Sequence, residues 1–308
     1  MCAMFGLKLS KINAGALSLA YKLRGERAGR DGVADLVEKR RAYAAAITRS
    51  AGVTDPRIEA AFATVSREDF AGPPPWRIGS SALGLEFASD PKRLYDDVLV
   101  AIDPERRINN GQPSLHARSI DALGLRAGET IVQIGAGAGY YTAILATLVG
   151  REGRVIAYEI APDIAARAAA NLSAYPQVEV RVRSGVEDLA STDALYVNAA
   201  ASHPVRAWLD ALRVGGRLVF PLQAVGSSGA MLLATRPEHS DAWPARLFMG
   251  VVFIACEGAQ DAEMGRRLDQ AFRRGGHGSV RSLRFGEAAS DTDWVRGDGW
   301  ALSSEPAG

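Results

Sequence analysis

Three glycines at alternate positions, Gly135, Gly137 and Gly139, sit between two apolar segments. Thr130 to Ile134 precedes them and reads as a buried strand; Tyr140 to Ala146 follows and opens a helical pattern. Glycine tolerates positive φ and lets a ligand approach the backbone without a Cβ in the way. Free N–H groups at the start of a helix favour a negative group. Strand, glycine turn and helix therefore form a nucleotide cradle. The next strand, Arg154 to Glu159, ends in an acid twenty residues after Gly139. A carboxylate at that strand tip is placed to accept both ribose hydroxyls of an adenosine. The spacing is not that of a dinucleotide fold: the third glycine comes one residue early, and Tyr140 stands where G-x-G-x-x-G needs glycine. No G-K-[ST] follows, so the phosphate loop of ATPases is absent too.

Other reactive residues are sparse. His116 is the candidate general base or carboxylate donor, and His203 follows the fourth strand of the expected sheet. His239 and His277 lie in loop-like contexts and receive no role. The two cysteines, Cys2 and Cys256, are far apart, which gives no disulfide framework and no zinc site. Cys256 ends an apolar run and reads as a buried free thiol.

These groups need elements to carry them. Helical spacing covers Gly32 to Phe70, with a second start at Asp55-Pro56 and an apolar face of Ile58, Ala61 and Phe62. Three prolines at 73–75 stop it and pack Trp76 on the core; Gly79 to Arg93 reads as irregular. Leu94 to Ile102 reads as an edge strand, and Pro113 to Leu123 as a helix stopped by Gly124, with Leu115, Ile120 and Leu123 inward. Beyond Glu159 the pattern alternates: a helix from Pro162 to about Ala174, a strand Val178–Val182, and a turn at Ser184-Gly185. A strand Ala194–Asn198, a helix Pro204–Leu212, a stop at Gly215-Gly216 and a strand Arg217–Pro221 complete it. That order specifies an α/β fold, a doubly wound, mostly parallel sheet with right-handed crossovers. Ligands of such sheets sit at the strand carboxyl ends, where Gly135, Glu159, Ser184 and Asn198 fall. The tail adds strands at Met231–Thr235, Phe248–Ala255 and Val280–Phe285, a helix at Ala262–Arg273, and a hairpin between Trp294 and Trp300.

Composition narrows the class. The chain has 308 residues, 47% apolar and 23% charged, ordinary for a soluble globular protein. A net charge of +1 supplies no field for nucleic acid, and no apolar run is long enough to span a membrane. The first thirty residues are basic but lack the clean apolar core of a secretion signal, so a surface helix or leader is expected there. A reducing cytoplasm is the expected setting.

The order of motifs resembles a known family. G-x-G-x-G is the pattern of class I S-adenosylmethionine methyltransferases, where the loop meets the methionine end of the cofactor. Val65-Ser66-Arg67-Glu68-Asp69-Phe70 resembles the "V-P-R-E-x-F" element of protein-L-isoaspartate O-methyltransferases, and Gly52 to Arg57 their "G-x-x-D-x-R" helix start. Gly111-Gln112 corresponds to their "G-Q-T-I-S" loop; Asn198-Ala199-Ala200-Ala201 and Leu212 to Val219 fall in the family order. The similarity covers about Val33 to Leu222. It implies a seven-stranded-type Rossmann-like sheet with N-terminal helices and a C-terminal extension. The expected segments are a leader and helical part at 1–103, a cofactor-binding core at 104–222, and strands, helix and Trp-rich tail at 223–308.

The resemblance also implies a site. S-adenosylmethionine would be held by Gln133, Gly135, Ala136, Gly137, Gly139, Tyr140, Glu159, Ile160, Ser184, Gly185 and Asn198. The acceptor loop would act through Ser114, His116 and Gln112, with no metal. Four positions depart from the pattern: Gln133 and Ser184 replace acids, Leu115 replaces the loop serine and Pro113 its threonine. A carboxylate acceptor, with a pKa of about 4, is already ionised and needs no base, so no catalytic triad is required. The expected partner is a peptide or protein carboxylate or a small-molecule acceptor, with no nucleic acid and no membrane. Two alternatives remain: a methyltransferase on another acceptor, motivated by the altered loop and the tryptophan tail, and a non-catalytic cofactor-binding module, motivated by Gln133 and Ser184.

Overall fold

The computed structural model describes residues 14–80 and 84–308. Cys2 and the lysines at 8 and 11 lie outside them. The long helix α1 (Ala14–Ala51) leads into α2 (Pro56–Thr64). Asp55 caps α2 by accepting from the Arg57 N–H, and Pro56 takes the first turn, as its fixed φ favours. Ile58, Ala61 and Phe62 are buried as their spacing predicts. The short α3 (Glu68–Ala71) follows.

The segment expected to be irregular is a hairpin. Strands β1 (Trp76–Ser80) and β2 (Gly84–Ala88) pair antiparallel, and β1 also pairs with β3 (Leu99–Asp103). A two-residue β4 (Ile108–Asn109) closes a four-stranded sheet of order β2-β1-β3-β4. Four of the five residues of β2 are exposed, so no alternation marks it as a strand. The strand expected from Leu94 begins only at Leu99, because Pro91–Tyr95 forms a 3-10 turn capped by Asp90.

Helix α4 (Pro113–Leu123) ends at Gly124 in the left-handed conformation. The core then alternates: β5 (Thr130–Ile134), α5 (Tyr140–Val149), β6 (Arg154–Glu159), α6 (Pro162–Asn171), β7 (Val178–Val182), β8 (Thr192–Val197), α7 (Arg206–Ala211) and β9 (Leu212–Leu222). The expected stop at Gly215-Gly216 is absorbed inside β9. Gly215 N–H donates to Arg236 O and Gly216 O accepts from Arg236 N–H, so the glycines pair instead of breaking the strand.

The tail contributes β10 (Gly229–Thr235), β11 (Ala242–Val251), α8 (Ala262–Arg274), β12 (Ser282–Phe285), β13 (Asp293–Gly297) and β14 (Trp300–Ser303). The five strands of the tail join those of the core in one ten-stranded sheet, ordered β13-β14-β12-β11-β10-β9-β8-β5-β6-β7. The five strands from β9 to β7 are parallel and the rest antiparallel. The seven-stranded α/β sheet is therefore present, with three more strands from the tail. Strand β11 starts six residues earlier than its apolar run suggests, because Pro244 masks its beginning. Residues 252–256 leave the ladder.

Two cores cover the sheet. One packs Tyr43, Phe62, Ile120 and Leu145 of α1, α2, α4 and α5; the other packs Trp208 and Leu268 of α7 and α8 with Phe220 and Trp294. Among the described residues no helix is long and apolar enough to cross a membrane, and no cluster of His, Cys, Asp and Glu has metal-binding geometry.

Candidate active site

A cavity of about 800 Å³ opens at the carboxyl ends of β5 and β8. Gly135, Ala136, Gly137, Ala138, Tyr140 and Asn198 line one side. The loop from β4 into α4 lines the other with Asn109, Asn110, Gly111, Gln112, Leu115 and His116. Leu99 to Ile102 and the 250–254 stretch complete the wall.

The donor side follows from local sequence. Gly137 has φ +56, and a Cβ there would lie 3.0 Å from the Ile102 side chain, so a larger residue is both strained and obstructed. Glu159 is buried at the tip of β6. One carboxylate oxygen accepts from Gly137 N–H at 2.8 Å and the other from Ala161 N–H at 3.1 Å. Each oxygen keeps a second lone pair. Ile160 beside it is exposed and offers an apolar surface at the strand tip. Asn198 Oδ1 is buried without a partner on the cavity wall.

Gln133 is fully buried and accepts from Thr142 Oγ1 at 2.7 Å, bracing α5 on β5. Gly139 packs against Leu172, and Gly185 carries the carbonyl that accepts from Trp208 Nε1 at 2.8 Å. Ser184 accepts from Val186 N–H at 3.4 Å.

The acceptor side is assembled from distant segments. Asp97 accepts from Ser114 N–H at 2.8 Å, Ser114 Oγ at 2.6 Å and Gln112 Nε2 at 2.7 Å. Gln112 makes no side-chain cap, so Asp97 supplies the acid that the N-terminus of α4 favours. Ser114 thus donates to Asp97 and is not among the residues lining the cavity. Gln112 lines it only beside that anchor.

His116 is buried, stacked on Tyr141 with ring centroids 3.7 Å apart. Its Nδ1 bonds Tyr196 Oη at 2.7 Å, and Nε2 has no partner and lies under Gly111. Gly111 has φ +73, and a Cβ there would fall 2.1 Å from Nε2, so only glycine fits above this ring. Burial, with a smaller push from the Arg67 guanidinium, lowers the imidazole from 6.5 to about 3. It is neutral at physiological pH and too weak a base to take a proton from an amine or alcohol. His203 bonds the neighbouring Ser202 at 3.1 Å and is not among the residues lining the cavity. Burial also pushes the Cys256 thiol up to about 11, so it is inert, as its sequence context suggests.

Arg67 was part of a recognised motif but had no assigned role. It is 1% exposed and donates to Leu94 O at 2.5 Å, Asp96 O at 3.2 Å, Val98 O at 2.6 Å and Asn110 Oδ1 at 3.3 Å. Asn110 Oδ1 also accepts from Val100 N–H at 2.9 Å. One buried guanidinium therefore ties the segment carrying Asp97 to the loop carrying Gly111. The acid pair inside the apolar run at 94–102 was the available signal for Asp97; nothing local marks an arginine as buried.

The family model for protein-L-isoaspartate (D-aspartate) O-methyltransferase matches residues 40–260. Protein-L-isoaspartate O-methyltransferase 2 of Archaeoglobus fulgidus is 34% identical over 166 residues, which is 51% of this chain and 74% of that protein. The Methylorubrum populi protein-L-isoaspartate O-methyltransferase is 33% identical over 209 residues, 66% of this chain and 87% of that one. The fold superposes on a proposed protein-L-isoaspartate O-methyltransferase of Plasmodium falciparum in complex with S-adenosyl-L-homocysteine. There the TM-score is 0.56 and the identity 17%, covering 71% of this chain and 98% of that one. The match of motif order, sheet and matched length makes this chain a member of the protein-L-isoaspartate O-methyltransferase family of class I S-adenosylmethionine-dependent methyltransferases.

Proposed function

We propose that the protein transfers a methyl group from S-adenosylmethionine to a carboxylate on a peptide, as the names of its relatives describe. The observation that carries this reading is the buried His116 on the acceptor wall, whose imidazole is held neutral by burial, so the ring beside the loop does not serve as a base. A carboxylate needs none. Its oxygen is already the nucleophile at neutral pH, and the enzyme has only to desolvate and align it.

The bound cofactor would supply an electrophilic methyl group on a sulfonium. Gly135 to Gly137 would hold its methionine end, Glu159 its ribose hydroxyls and Ile160 its adenine face. Asn198, with its unpartnered Oδ1, would take the amino group. On the opposite wall, the loop from Asn110 to Gln112, held by Arg67 and Asp97, would orient the acceptor. Leu115 and Tyr141 would exclude water. A cytoplasmic setting accords with the free thiol of Cys256.

The test is transfer of a radiolabelled methyl group to an isoaspartyl peptide, followed by mild alkali. A carboxyl methyl ester releases its label as methanol. An alkali-stable product would place the methyl on nitrogen or an ether oxygen and refute the carboxylate reading. Transfer to a small carboxylate but to no peptide would favour the metabolite alternative, which Leu115 in place of the loop serine motivates.

A further inference from the structure

The cavity does not end at the acceptor loop. It continues over Ser228, Gly229, Ala230 and Gly250 to Phe272 and His277, which lie beyond the residues matched to the family. A Cβ at Gly250 would meet nothing within 4 Å, so the space above this floor is open. The wall between the two ends is the stretch that leaves β11. Val252 is 70% exposed and Ile254 45%, and both line the cavity, while Phe253 turns inward against His116.

Exposed aliphatic side chains on a floppy loop would mean little. These are held firmly. Gln223, 2% exposed, accepts from Phe253 N–H at 2.8 Å and donates to Phe253 O at 3.0 Å. Ala200 donates to Ile254 O at 2.8 Å and accepts from Cys256 N–H at 2.7 Å. The stretch is thus an extended strap fixed on both sides, presenting alternate apolar side chains at the cavity mouth. The far wall is rigid as well: Phe272 packs edge-on against Trp294, whose Nε1 donates to Gly275 O at 2.8 Å. An apolar surface kept exposed and ordered beside a binding cavity marks a recognition site.

We infer that this groove takes the residues flanking the acceptor carboxylate, and that it selects peptides with an aliphatic or aromatic side chain beside the methylated residue. The inference rests on the peptide-carboxylate reading above. The occupant follows from continuity: the groove and the glycine loop share one cavity, so a carboxylate at the loop puts its neighbours on Val252 and Ile254. The tail beyond the family match then acts as a specificity element through Phe272 and His277.

Binding can be read without turnover. Dye-labelled isoaspartyl hexapeptides, with Leu or Phe beside the isoaspartyl residue or with Ser or Lys there, are titrated against the full chain saturated with S-adenosylhomocysteine. Anisotropy should show the apolar peptides binding about tenfold tighter. The Val252→Asp/Ile254→Asp double variant should remove that preference, and the milder Val252→Ser/Ile254→Ser pair should weaken it. Their melting temperatures and S-adenosylhomocysteine affinity should stay unchanged. Equal affinity for both peptide sets, a preference that survives the double variant, or no peptide binding would overturn the inference. Failure of the donor reading is separate: it would appear as no S-adenosylhomocysteine binding by calorimetry.

Discussion

The two walls of the cavity are built in opposite ways. The donor wall is a single stretch of chain plus Glu159 and Asn198 from the tips of the two strands beside it. Its glycines, the Glu159 carboxylate and the start of α5 meet because neighbouring parallel strands must bring them together. The acceptor wall gathers residues near 67, 97, 111, 200, 223 and 253, held by side chains reaching across the sequence. A wall made from backbone geometry suits a constant ligand. A wall pinned by Arg67, Asp97 and Gln223 can be reshaped by changing exposed residues on the pinned segments.

The sharpest way to break this contrast is Gly137→Val. The side chain would need positive φ and would push against Ile102, so donor affinity should fall more than about a hundredfold. Unchanged affinity by calorimetry would mean that the cofactor lies elsewhere. Glu159→Ala comes next. Hydrogen bonds to a charged group contribute about 1.5–3 kcal/mol, so S-adenosylmethionine binding should weaken about tenfold to a hundredfold.

The third prediction concerns pH and sharpens the role of His116. Its folded pKa, about 3, lies below the unfolded 6.5, so protons bind the unfolded chain preferentially. Stability conferred by the neutral ring is complete above pH 6.5 and declines as pH falls toward 3. At pH 5 the cost is about 2 kcal/mol. Denaturant unfolding at pH 7 and 5 should show a decline that is smaller by this amount in His116→Gln. An equal decline in both proteins would contradict the burial of a neutral imidazole.

The smallest expected effect is on the acceptor wall. Asp97→Ala removes the remote cap of α4, worth about 0.5–2 kcal/mol, and frees Ser114 and Gln112. Acceptor kcat/KM should drop about tenfold with donor affinity unchanged. Ser114→Ala should do less, since Asp97 keeps the Ser114 N–H and Gln112. A larger loss in Ser114→Ala than in Asp97→Ala would return Ser114 to direct acceptor contact.

The same contrast explains what could be read from sequence. The strand–glycine–helix unit, Glu159 and the caps at Asp55 and Gly124 are local signals, and they appear where spacing places them. The acceptor wall depends on burial and tertiary contact. Ser114 looks like a free hydroxyl until Asp97 is brought to it, and Arg67 looks like a surface charge until Leu94, Asp96 and Val98 turn their carbonyls inward. The β1–β2 hairpin lacks alternation because β2 is solvated on both faces. The 252–256 strap mimics a core strand because it is apolar, yet its hydrogen bonds go to Gln223 and Ala200 rather than to a ladder.

The division between the two walls is tested most directly by one calorimetric series. S-adenosylhomocysteine is titrated into the wild type, Glu159→Ala and Asp97→Ala. The account predicts a tenfold to hundredfold weaker Kd in Glu159→Ala and a wild-type Kd in Asp97→Ala. A wild-type Kd in Glu159→Ala, or an equal loss in both variants, would contradict it.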